Sequence, residues 1–154
     1  LPGRASRDLA TLVRTPAALS AALAFLAAAA AAVTLFPGEP VSAVGDTFVV
    51  HMDREALNDY PLGLYDVTVT IVTFEQDRDI SWKIDGQIKP PIGHTYGYRL
   101  EPAEGGTLVT SYYDWSDIDP VWREAGIFPL ISEGALRATL GILDRTVRRR
   151  TTGA

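Results

Sequence analysis

The 154-residue chain has no cysteine, one methionine and only two histidines, His51 and His94. Without cysteine there is no disulfide, no thiolate nucleophile and no thiolate-bound metal. Two histidines are too few for a histidine-rich metal centre, and no motif calls for a metal or any other cofactor. Cations are also short, with 14 Lys and Arg against 19 Asp and Glu and a formal net charge of -5. Phosphate binding needs the opposite excess, so no nucleic-acid partner is expected. The one basic cluster, Arg145, Arg148, Arg149 and Arg150, reads as a solvated helix end. A nucleophile triad, a glycine-rich phosphate loop and an HExxH motif are missing too. Any catalysis must therefore come from polar groups lining a pocket.

What is present suits a folded chain. Apolar residues make up 47% and charged residues 21%, the balance of a globular protein with one core. Residues 17–36, AALSAALAFLAAAAAAVTLF, carry no charge and end at Pro37-Gly38. Their length permits a membrane span or a signal sequence. Alanine drives insertion poorly, however, and Leu19, Leu23, Leu26, Ala30 and Val33 form one larger apolar stripe. A packed helix over 17–35 is the expectation, with export or membrane anchoring through 17–36 as the alternative. The lack of cysteine suits a reducing, cytoplasmic compartment.

From Val41 the pattern changes to alternation. Strands are expected at 47–53 (TFVVHMD), 64–75 (LYDVTVTIVTFE), 79–85 (DISWKID), 93–100 and 107–115, with the last two joined by a Gly-Gly turn. Short connections make an antiparallel meander the simplest topology. The longest link, 54–63, reads as a rim loop. A loop with one helical turn follows Trp115. Asp114, Asp117 and Asp119 there read as a solvated stretch rather than a calcium site, because Pro120 and the lack of a turn glycine break the EF-hand pattern. A final helix is expected near 132–148, with Leu136, Leu140, Leu143 and Val147 on one face. The result is an α+β domain with the helix laid across the sheet.

Alternation sorts the rings. Tyr65, Val67, Val69, Ile71 and Thr73 share one face of their strand. Ile80, Trp82 and Ile84 do the same in theirs, as do His94, Tyr96 and Tyr98, and Val109, Tyr113 and Trp115. His51 falls outward. The inner face therefore holds Tyr65, Trp82, His94, Tyr96, Tyr98, Tyr113 and Trp115, a high share of hydroxyl and ring-nitrogen groups. A buried hydroxyl without a partner costs about 1–3 kcal/mol. A wet cavity satisfies such groups more easily than a dry core, although tyrosine also packs its ring inside with the hydroxyl at the rim. Trp122 and Phe128 either close the mouth of such a cavity or pack an ordinary loop.

The stretch IGHTYGYRLEPAEGGTLVTSYYDWS, followed by the amphipathic ALRATLGILDRTVRR, resembles the polyketide cyclase/dehydrase-like branch of the START-like (SRPBCC) helix-grip superfamily. The similarity runs from about Val41 to Arg149. PVSAVGDTF is similar to an early hairpin turn of that group. The resemblance implies a single domain over 1–154, in which a bent antiparallel sheet (41–115) grips a long C-terminal helix (132–149) around a ligand cavity. Residues 1–37 would be a divergent N-terminal strand and helix, with Arg4–Val13 as the strand. It also implies a small hydrophobic, lipid- or polyketide-like ligand, contacted by the seven inner residues just named. The alternative is a cyclase/dehydratase-type enzyme in the same cavity. There His94 would act as acid or base, while Tyr96 and Tyr113 would donate to a carbonyl or enolate oxygen.

Overall fold

The computed structural model describes residues 6–13, 33–34, 41–53 and 63–151. Its strands are β1 (Ser6–Val13), β2 (Val33–Thr34), β3 (Thr47–Asp53), β4 (Leu64–Glu75), β5 (Asp79–Asp85), β6 (Thr95–Ala103) and β7 (Gly106–Asp114). A short helix α1 (Pro120–Glu124) and a long helix α2 (Glu133–Thr151) follow. The strands form one antiparallel sheet in the order β1-β7-β6-β5-β4-β3-β2. The meander from β3 to β7 is as the sequence predicts.

Local chemistry explains the connections. Asp46 accepts hydrogen bonds from the amides of Ser42 and Ala43, and these backbone donors hold its carboxyl below the usual range. The turn is tied to β4, because Gly45 N–H donates to the Ile71 carbonyl and Ile71 N–H donates to that of Asp46. Between β6 and β7, Gly105 takes φ 78°, a conformation open to glycine at no steric cost.

Two expectations need correction. Val33 and Thr34, at the end of the expected 17–35 helix, pair instead with Met52 and His51 of β3. Two adjacent β-branched residues favour a strand, and β3 offers an edge to join. The rest of the alanine-rich segment, the 54–62 link and the side chains of Arg149 and Arg150 lie outside the described residues. Thr73 is not on the inner face. The β4–β5 register shifts between Ile71 and Thr73, so Thr73 lies opposite Ser81 and Phe74 opposite Ile80. One extra residue in the strand reverses every later side chain.

Helix α2 covers the inner face nearest β1 and β7. Its predicted stripe is buried throughout: Leu136, Leu140, Leu143 and Val147. Burying each such side chain contributes about 1.5–3 kcal/mol. Ser132 starts the helix, its Oγ accepting from the Ala135 amide and its carbonyl from that of Leu136. Among the described residues no helix is long and apolar enough to cross a membrane.

Candidate functional site

The pairing register builds a row of side chains across the inner face. Arg7 of β1 lies opposite Tyr113, Tyr113 opposite Tyr96, Tyr96 opposite Trp82, and Trp82 opposite Ile71. The neighbouring row runs Leu9, Ser111, Tyr98, Ile80 and Phe74. Six of the seven predicted residues meet here. Trp82 stacks near Tyr96 with centroids 6.2 Å apart and meets Tyr98 at 5.8 Å. Tyr96 lies 5.1 Å from Tyr113, which lies 5.2 Å from Trp115. Tyr65 is set apart, since β4 carries it past Val67 and Val69 before Ile71 reaches Trp82. It sits beside Met52 at the other end of the face.

His94 precedes β6 rather than opening it. Gly93, at φ 86°, packs so near the Asp117 carbonyl that a β-carbon there would crowd it. This sharp turn before the strand brings His94 inside, where it is 7% exposed. Its Nδ1 lies 2.9 Å from the Tyr113 hydroxyl and its Nε2 3.3 Å from that of Tyr96. A neutral imidazole has one donor and one acceptor nitrogen, so one tyrosine donates to the ring and the other accepts from it. Phe128 completes the enclosure, its ring centroid 6.1 Å from that of His94.

Burial sets the protonation states. Desolvation lowers His94 to about 4, so it is neutral at pH 7. It also raises Tyr113 well above an ordinary phenol, a rise that the nearby Leu130 backbone partly opposes. Tyr98 is raised for the same reason, partly opposed by the nearby Thr139 hydroxyl of α2. Exposure divides the rings further. Tyr98 and Tyr113 are closed off, at 2% and 0% exposed, while Tyr65, Tyr96 and Trp115 keep accessible surface.

The remaining candidates have structural partners. His51 is outward, paired with Asp66. Asp114 accepts from Ser116, and Asp119 caps α1 through the Val121 amide. Trp122 donates to the Pro90 carbonyl. Two features went unread in the sequence. Arg7 reaches the inner face, a position visible in the alternation Arg7, Leu9, Thr11, Val13. The outer face carries a polar groove of about 310 Å³ whose lining includes Thr73, Ser81, Lys83, Thr95, Tyr112 and Asp114. The bulge that turns Thr73 outward leaves no sequence signal.

No protein-family model and no curated protein matches the sequence. Solved structures do resemble it. The AHSA1-like protein from Aeromonas hydrophila is 16% identical with a TM-score of 0.55, over 95% of this chain and 94% of that one. A protein from Rhodobacter sphaeroides is 17% identical with a TM-score of 0.58, over 99% and 97%. The Aha1 dimer from Colwellia psychrerythraea is 12% identical with a TM-score of 0.52, over 92% and 95%. At these identities the likeness is one of fold. It is the helix-grip arrangement, an antiparallel sheet holding a C-terminal helix.

Proposed function

We propose that this chain binds a small hydrophobic or aromatic molecule, lipid- or polyketide-like, between the sheet and α2. The carrying observation is the His94–Tyr113–Tyr96 hydrogen-bonded set within a cluster of rings, of which Tyr96 and Trp115 retain exposed surface. Apolar rings with a few fixed polar groups are the usual makeup of a small-molecule site.

A cyclase/dehydratase-type reaction in the same place is the second reading, favoured by the direct His94–tyrosine contacts. The protonation states weigh against it. Efficient acid–base catalysis wants groups that titrate near the working pH. An imidazole near 4 is a weak base, and a phenol raised by burial is a weak acid. Both suit fixed hydrogen bonding better than proton transfer.

Native mass spectrometry of the purified full chain tests the proposal, together with fluorescence titration by the neutral probe N-phenylnaphthylamine. A co-purified apolar molecule, or saturable probe binding weakened by Trp115→Ala with the sheet intact, is expected. A chain that carries no such molecule and binds no probe contradicts the proposal. Release of the co-purified molecule lighter by one water would favour the dehydratase reading.

A further inference from the structure

Among the described residues Arg7 is a cation on an otherwise uncharged face. Its strand alternates Arg7, Leu9, Thr11 and Val13 inward and Asp8, Ala10 and Leu12 outward, and Arg7 itself is half-buried. No aspartate or glutamate shares the inner face among the described residues, because the carboxylates of β1 and β4 to β7 alternate outward with their strands. The acidic residues of α2 are taken by its own arginines, Glu133 by Arg137 and Asp144 by Arg148. Among the described residues the guanidinium has one hydrogen bond, a long one, in which Nη1 donates to the Ile131 carbonyl at 3.4 Å. Five donors with one weak acceptor among the described residues leave the group room for a further partner, and a partly buried charge is costly unless paired.

Its surroundings are specific. Arg7 is the cross-strand neighbour of Tyr113, and consecutive residues adjoin the two side chains, the Ile131 carbonyl accepting from Arg7 and the Leu130 backbone lying near the Tyr113 hydroxyl. The guanidinium, the Tyr113 hydroxyl and the His94 ring therefore gather where residues 130–131 enter α2, beside Trp115 and Phe128. A guanidinium fork matches the two oxygens of a carboxylate, and charge-assisted bonds of this kind are about twice as strong as neutral ones.

Resting on the binding reading above, we infer that the ligand is an acid: a ring-bearing molecule whose carboxylate, or an equivalent oxyanion, pairs with Arg7 while its apolar body lies along Trp115 and Tyr96. The missing counter-charge is then supplied by the ligand. Neutral His94 adds no second charge and serves as a hydrogen-bonding wall beside the ion pair.

Two probes with the same rings test this in the full chain. Anilinonaphthalene sulfonate carries an anion, and N-phenylnaphthylamine does not. The wild-type protein should bind the anionic probe about tenfold or more tightly than the neutral one. Arg7→Met should erase that preference and leave neutral-probe affinity unchanged, which also shows that the variant is folded. Arg7→Lys should restore part of it, since the charge returns without the fork. If Arg7→Met binds the anionic probe as wild type does while the neutral probe still binds, the acid assignment is wrong and the binding reading stands. Equal loss of both probes in Arg7→Met would make Arg7 a structural residue and overturn the inference. Failure of the wild type to bind either probe overturns this inference, and if the chain also carries no co-purified apolar molecule it removes the binding reading as well.

Discussion

The ring of Tyr112 lies over Gly97, its cross-strand neighbour on the outer face, and fills the space that a side chain there would need. The ring is fixed from both ends. Its hydroxyl donates to Asp79 at 2.8 Å, and the Arg99 guanidinium lies 4.9 Å from its centroid. A β-carbon at residue 97 would overlap Cζ and Oη of Tyr112. Gly97→Ala should cost about 1–3 kcal/mol by overpacking. In a Tyr112→Ala background the same change should cost far less, and urea unfolding of the four proteins measures the coupling. An equal cost in both backgrounds would contradict the contact.

Leu140→Ala should destabilise by about 2–5 kcal/mol, because Leu140 is 2% exposed and joins α2 to the sheet core. A shifted urea midpoint at unchanged slope is the expected signature. An unchanged midpoint would mean that α2 does not close the core through this face.

The buried histidine gives a pH dependence. Folding lowers His94 from 6.5 to about 4, so between those values the unfolded chain binds a proton that the folded chain does not. Its stabilising contribution is complete above the unfolded value and is lost as pH falls through 6.5 towards 4. Carboxylates titrate across part of this range, so the comparison with His94→Gln isolates the effect. Across this interval wild type should lose more stability than the variant, by on the order of 2 kcal/mol. Parallel profiles would place His94 in water.

Tyr113→Phe removes the hydroxyl that bonds to His94 Nδ1. The ring still fills its place, so the loss is one of polar pairing. The expected cost is about 1–3 kcal/mol, read by equilibrium unfolding. A cost within error of zero would mean that water replaces the hydroxyl.

Much of this molecule was legible in its sequence, because period-two and helical patterns are local. The limits of β3, β4 and β5 coincide with the expected TFVVHMD, LYDVTVTIVTFE and DISWKID. The stripe Leu136, Leu140, Leu143 and Val147 needs only a single helix to be recognised, and burial of all four follows once any apolar face is at hand. The same alternation set Trp82, Tyr96, Tyr98 and Tyr113 on one face before any pairing was known.

Tertiary structure decided what depends on partners distant in sequence. Pairing of β1 with β7 joins residues about a hundred positions apart, and only that register puts Arg7 beside Tyr113. The irregularity after Ile71 turns Thr73 outward without any composition to announce it. Val33 and Thr34 leave a run that reads as helix because an edge of β3 takes up their backbone groups. Tyr98 and Tyr113 carry the same side chain as Tyr96, yet they are sealed while Tyr96 keeps exposed surface. Where alternation runs unbroken, as in β5 and β7, the sequence determined which groups face inward. How those groups are hydrated, charged and paired follows from the elements that cover them, and that covering exists only in the assembled fold.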